Sequence, residues 1–402
     1  MAETHTSLPS QLAAKLARRV GEGLALGGTL GGRAIPRLWR AARHLFGEVS
    51  HGSHRVLAEG RSLGQRAVAL LESDLSSNRA ADPEPATPPS NAGNRTGSLL
   101  ALPPLGSLRP EVAALVGDIS STVIGRERGI RLALACHFAG GHLLLDGPPG
   151  MGKTTLASAL GAALGLGVRR IQFTADLMPG DILGLSIPDR ETGVFTFQAG
   201  PIFSPMVLAD EINRAPPRAQ SALLEAMEER RVTVDGETHV LPTPFFVVAT
   251  QNPVGQIGAF PLPESQLDRF LMRISFDHLS RISERSVLRA GDLRTAAGML
   301  SPGGTAMVDR SAIGQVHVSD RVLGYVQDLL EASRDPARFA AGLSLRAGLG
   351  LVATARAWAW MHGQDAVEPD DIQAVFDPVA DHPLEGRGGL SAASLRSEVA
   401  IG

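Results

Sequence analysis

Lysine is almost missing from this chain of 402 residues: Lys15 and Lys153 are its only two, and its other strongly basic side chains are all arginines. Cysteine is rarer still. Cys136 stands alone, which excludes an internal disulfide framework and a cysteine-based zinc site and fits a reducing, cytoplasmic setting. No apolar run approaches the ~20 residues that cross a bilayer. A single-sign charge excess is also absent. The formal net charge is −3, so the chain as a whole is not built to coat a polyanion, and 44% hydrophobic with 20% charged residues is a globular composition.

What the chain does have is glycine, in one telling place. Leu143-Leu144-Leu145-Asp146 is an apolar run with the look of a buried strand. It leads into Gly147-Pro148-Pro149-Gly150-Met151-Gly152-Lys153-Thr154-Thr155, and Leu156 to Leu160 then reads as a helix. Residues 147–154 fit G-x-x-x-x-G-K-[ST] in full. Glycines let a backbone curl so that several N–H groups converge on phosphate oxygens, and the following helix adds the positive end of its dipole. Lys153 is expected to reach the β- and γ-phosphates, and the Thr154 hydroxyl to ligate Mg²⁺. One of two lysines in an arginine-dominated chain falls on this position, where a flexible stem with a compact charge suits a phosphate clamp.

The first hundred residues have a different character. Through residue 70, ten Lys+Arg face four Glu and no Asp, so this part carries about +6 and the remainder about −9. Arg18-Arg19 before an apolar stretch has the outline of a twin-arginine export signal, but Glu22 interrupts it and no small-residue cleavage site follows. From Arg37 to Val49, apolar Leu38, Trp39, Ala42, Leu45, Phe46 and Val49 recur at helical spacing opposite Arg37, Arg40 and Arg43. Such a basic amphipathic helix could rest on an anionic membrane surface, or simply pack on its own chain. We therefore expect a basic helical extension over 1–72 and a disordered Pro/Ser/Asn-rich linker over 73–106.

From about residue 107 the pattern is that of an α/β domain with a parallel sheet. Val168 to Phe173, Met206 to Glu211, Phe245 to Thr250 and Leu271 to Phe276 read as further strands, several of them apolar on both faces. The third ends in two acids with separate work. Asp210 stands where a carboxylate completes a Mg²⁺ shell, usually through water, and Glu211 where one takes a proton from attacking water. The chain has no Asn-Lys-x-Asp, so a guanine-reading GTPase is disfavoured, and a small-molecule kinase has no need of Glu directly after the metal acid. Two hairpins are predicted, over Leu183 to Phe197 and, around Asp235-Gly236, over Arg231 to Leu241.

Asp210-Glu211-Ile212-Asn213-Arg214-Ala215-Pro216-Pro217, Ala222-Leu223-Leu224-Glu225-Ala226-Met227, Ala249-Thr250-Gln251-Asn252-Pro253 and the run from Pro261 to Phe270 closely resemble the MoxR family of AAA+ ATPases. The likeness runs from about Ser107 to Phe376. It implies a P-loop α/β core over 107–278 with the two hairpins as inserts, then a small all-α lid over 279–378, leaving 379–402 as a flexible tail. It also implies roles: Asn252 as the polar sensor of the γ-phosphate, Arg269 as an arginine finger reaching a neighbouring subunit's ATP, and Arg346 as the lid's sensor arginine. The family commonly has a small residue and a proline where this chain has Leu343 and Leu345, and it usually continues its last helix where this chain has Asp381-His382-Pro383.

The expected function is that of an ATPase which hydrolyses Mg-ATP in a ring, a hexamer by resemblance, and drives chaperone-like remodelling or assembly of a client protein complex. A separate von Willebrand factor A domain protein is the implied partner. Two alternatives are a nucleic-acid motor of the related hairpin-bearing clade and a nucleotide-gated scaffold with little turnover. The first is disfavoured because the second hairpin offers Arg230 and Arg231 only at its base while its tip is acidic, and affinity for nucleic acid rests on lysine and arginine. The second is disfavoured because all the hydrolytic residues are present.

Overall fold

A computed structural model describes residues 102–188, 194–252, 260–291, 310–386 and 390–401. The expected basic extension, the helix expected over Arg37–Val49 and the linker up to residue 101 lie outside the described residues, as do the first hairpin's turn and Pro253. The described chain falls within one compact unit, Arg95–Gly402.

It begins with α1 (Pro110–Thr122), α2 (Glu127–Phe138), β1 (Leu143–Asp146), α3 (Lys153–Ala163), β2 (Val168–Gln172) and α4 (Pro179–Leu183). A first hairpin, β3 (Gly184–Pro188) and β4 (Phe195–Ala199), precedes β5 (Met206–Asp210) and α5 (Pro217–Glu229). A second, β6 (Arg231–Val234) and β7 (Glu237–Val240), precedes β8 (Phe246–Gln251), α6 (Glu264–Leu267), β9 (Met272–Ser275) and α7 (Arg281–Ala290). The remainder carries α8 (Arg310–Gly314), α9 (Asp320–Ser333), β10 (Phe339–Ala341), α10 (Leu345–Met361), α11 (Pro369–Ala380), β11 (Glu385–Gly386) and α12 (Ala392–Glu398).

Five strands pair in the order β2-β5-β8-β1-β9, all parallel. β5 and β8 are buried at every residue, which is why their sequences are continuous rather than alternating. The pleat still sorts their side chains. Leu143, Leu145, Leu208 and Val248 face a core built with α1, α2 and α3, while Leu144, Val207, Ala209 and Val247 face α5 through Ala219, Leu223 and Met227. β2 lies at the sheet's edge and is exposed except at Ile171, so it tolerates Arg169, Arg170 and Gln172.

Both hairpins form antiparallel ladders as the sequence predicts. In the second, Asp235 and Gly236 both take positive φ, 51° and 86°, as a two-residue turn of the primed type requires. The two hairpins are joined: Phe197 of β4 stacks on His239 of β7 at 4.0 Å and 12°, with Phe203 edge-on to both.

The lid packs on the sheet domain through one continuous apolar core. Trp360 of α10 meets Phe138 of α2 edge-to-face at 5.8 Å, and the Arg109 Nε donates to the Trp360 carbonyl at 2.8 Å. Ser319 and Ser344 cap α9 and α10 by accepting from Val322 N and Ala347 N. The lid is helical, and its short strand, β10, pairs with β11 in the segment that follows it. The segment expected to trail away from 379 departs from that reading. Asp381 accepts from Ala392 N at the start of α12, Leu395 is fully buried, and Arg396 forms a two-pronged ion pair with Asp377 of α11. Seven residues are too few to show a helical period, and it is packing that orders them.

Candidate nucleotide site

The glycine loop sits at the carboxyl end of β1, between β8 and β9, the usual place for ligands in an open parallel sheet. Gly147 has φ +145°, and a Cβ there would lie 2.5 Å from the Phe276 carbonyl oxygen, so only glycine lets the loop leave the strand this way. Gly150 and Gly152 also have positive φ, and α3 begins at Lys153 itself. Pro149, Gly150, Met151, Gly152, Lys153, Thr154 and Thr155 line a cleft of about 840 Å³, together with Arg170, Asp210, Glu211, Thr250 and Asn252. Val123, Ile124, Leu279 and Val287 supply an apolar wall to the same cleft.

The Lys153 ammonium is buried and folded back on its own loop. It donates to the carbonyls of Gly147 and Pro148, the latter at 2.9 Å, and to Asn252 Oδ1 at 3.3 Å. Burial pulls its pKa below the ordinary lysine value, and Asp146, Asp210 and Glu211 act against that pull. Thr154 Oγ1 donates to Asp210 Oδ1 at 3.4 Å, so the two expected Mg²⁺ holders already face one another. Hard oxygen donors of this number suit Mg²⁺ held between a protein and phosphates, and no cluster of three or more His, Cys, Asp or Glu able to hold a metal occurs among the described residues.

Thr250, from the end of β8, joins the two acids. Its hydroxyl donates to Asp210 Oδ1 at 2.6 Å and accepts from Glu211 N at 2.9 Å. Glu211 has φ 56°, which turns its carboxylate out of the strand direction. Its Oε1 accepts from Asn252 Nδ2 at 3.0 Å, while Oε2 meets Gln172 Nε2 at 3.2 Å and Arg214 Nε at 2.9 Å. Sequence reasoning missed Arg170, Gln172, Thr250 and Arg214. A period-two reading of β2 would have put Arg170 and Gln172 on one face, but nothing local says which acid each meets.

Arg269 and Arg346 do not line this cleft. Both pair with Glu228 at the end of α5, at 3.2 and 2.9 Å, and Arg269 has no ion pair with its neighbour Asp268. They line a second cleft, of about 350 Å³, with Glu228, Arg230, Leu349 and His382. Leu343 is buried, whereas Leu345 and Leu349 are exposed, Leu349 lining this second cleft. His382, in the sequence that breaks the last long helix, is buried and meets the Phe270 carbonyl at 2.8 Å, in the turn between α6 and β9 that also carries Arg269. At the base of the second hairpin, Arg230 donates to the Gly140 carbonyl and Arg231 pairs with Glu229.

Comparison with known proteins places the fold in a family. The family described as ATPase family associated with various cellular activities (AAA) matches residues 142–272, and the AAA lid domain matches 331–394. The uncharacterised protein YeaC of Bacillus subtilis is 41% identical over 270 residues, covering 66% of this chain and 84% of that protein. Chaperone MoxR1 of Mycobacterium tuberculosis is 36% identical over 314 residues, covering 74% and 83% respectively. The crystal structure of a presumed ATPase from Cytophaga hutchinsonii superposes with a TM-score of 0.64 at 34% identity, over 72% of this chain and 93% of that one. Similar over most of its length to a chaperone of that name, and carrying both the AAA domain and its lid, the chain belongs to the MoxR family of AAA+ ATPases.

Proposed function

We propose that the protein hydrolyses ATP with Mg²⁺ at the glycine loop and uses the resulting motion to remodel or assemble a partner protein complex. The observation that carries this reading is the convergence of Lys153, Thr154, Asp210, Glu211 and Asn252 in one cleft at the end of the sheet. Gly147 to Thr155 would cradle the phosphates, with Lys153 leaving its loop carbonyls for the β- and γ-oxygens. Thr154 and Asp210 would hold Mg²⁺, which supplies charge neutralisation on those oxygens when bound. Asn252 would orient the attacking water and Glu211 take its proton at a carboxylate oxygen. Oε1 keeps one acceptor position beside Asn252 for that water, while Gln172 and Arg214 hold Oε2.

Arg269 and Arg346 share an acid outside the cleft, so we assign both to a neighbouring subunit's nucleotide across a ring interface, with a hexamer as the working stoichiometry. Glu228 would hold them until that nucleotide arrives. The chaperone role, a separate von Willebrand factor A domain partner and a cytoplasmic setting come with the family. Among the described residues no helix is long and apolar enough to cross a membrane. Steady-state phosphate release by the wild type and by Glu211→Gln tests the chemistry. We expect turnover in the first and a loss of about 100-fold or more in the second, the scale of a positioned general base; equal rates remove Glu211 from the mechanism.

A further inference from the structure

The carboxylate of Asp210 has no vacancy. Its Oδ1 accepts from Thr250 Oγ1 at 2.6 Å and Thr154 Oγ1 at 3.4 Å. Its Oδ2 accepts twice from one guanidinium, Arg170 Nη2 at 2.5 Å and Nε at 3.2 Å. A carboxylate offers about four acceptor positions, and all four are taken. A water bound to Mg²⁺ can therefore reach Asp210 only where Arg170 now sits.

Arg170 is well placed both to occupy that position and to leave it. The Asp210 side chain is 8% exposed and the Arg170 side chain 57%. A carboxylate this deeply buried needs a positive partner when no metal is present, since an uncompensated buried charge is costly. A half-exposed arginine can supply that partner and then swing into water at little expense. A second acceptor waits one pleat along the same strand, where Gln172 Oε1 already takes Arg170 Nη2 at 3.0 Å.

Resting on the Mg-nucleotide reading above, we propose that Arg170 is a positioning residue which stands in for the divalent cation on Asp210 and competes with it. It holds the acid aimed by two hydrogen bonds to Oδ2, and it raises the metal concentration needed to fill that site. Arg170 is not itself a metal ligand and acts only through Asp210.

The test is manganese uptake by the full-length chain in the presence of ADP, followed by the electron paramagnetic resonance of free Mn²⁺. Wild type, Arg170→Gln and Arg170→Lys are compared, each checked by its melting curve. We expect Arg170→Gln to take up Mn²⁺ about five-fold more tightly than wild type, the scale of a half-exposed ion pair, and Arg170→Lys, which keeps the charge, to fall between. Equal or weaker uptake by Arg170→Gln overturns the proposal; an arginine with a purely structural role would lower the melting temperature and leave uptake unchanged. A wild type that takes up no Mn²⁺ with ADP overturns the nucleotide reading as well, so the two failures are told apart.

Discussion

Thr250 shows how much of the site hangs on single atoms. One hydroxyl, 1% exposed, donates to the Asp210 carboxylate and accepts from the Glu211 backbone N–H. Thr250→Val keeps the shape and removes both bonds. It leaves Glu211 N without its acceptor, and we expect a loss of about 1–3 kcal/mol in stability by urea denaturation. An unchanged midpoint would show that water replaces the hydroxyl. Gly147 is the second such atom-scale constraint. A methyl group there collides with the Phe276 carbonyl at a φ that L side chains rarely adopt. Gly147→Ala should abolish ADP binding by calorimetry, and wild-type affinity would contradict the strained exit from β1. The loop residues, Asp210 and Glu211, which line one cleft, were legible in the sequence because each belongs to a short local pattern. Arg170, Gln172 and Thr250 were not, because their partners lie 40, 39 and 40 residues away.

At the scale of elements, the strand and helix order follows from pattern, but the faces of α10 do not. Leu345, Leu349, Val352 and Trp360 fall at helical spacing along α10. Yet Leu345 and Leu349 are exposed, Leu349 lining the second cleft, while Trp360 is buried against α2. A helical period marks apolar positions and cannot distinguish the chain's own core from a surface that meets another molecule. α12 is the reverse case, too short to announce itself and ordered by Asp377 and Asp381. The second cleft carries its own prediction. If Arg269 serves a neighbour's ATP, mixing inactive Arg269→Ala with inactive Glu211→Gln subunits should restore phosphate release, because some interfaces then join an intact finger to an intact base. No recovery at any mixing ratio would place Arg269 outside the reaction.

Across the whole molecule, three buried histidines tie stability to pH. Burial holds His137 and His142 down at about 3 and His382 at about 4, against 6.5 when exposed. His142 accepts from Val247 N through Nδ1 at 3.0 Å and faces the Met227 carbonyl through Nε2 at 3.3 Å, an arrangement that needs a neutral ring. Below pH 6.5 the unfolded chain binds protons that the folded one refuses, so this stability is present above 6.5 and is lost as pH falls toward the folded values. Asp371, pushed up to about 6 by burial, acts the other way as pH falls from about 6 to its ordinary 3.8. Asp381 is also raised by burial, but three histidines outnumber these two carboxyls, and we expect the melting temperature to drop between pH 7 and 5; a flat or rising profile would contradict the buried, neutral histidines.

The measurement that bears most directly on the account is calorimetric titration of ADP with Mg²⁺ into the full-length chain and into Lys153→Ala. The account predicts saturable binding at about one nucleotide per chain in the wild type, as one glycine loop allows, and none in the variant. No heat from well-folded wild type, or binding unchanged by loss of Lys153, would contradict it.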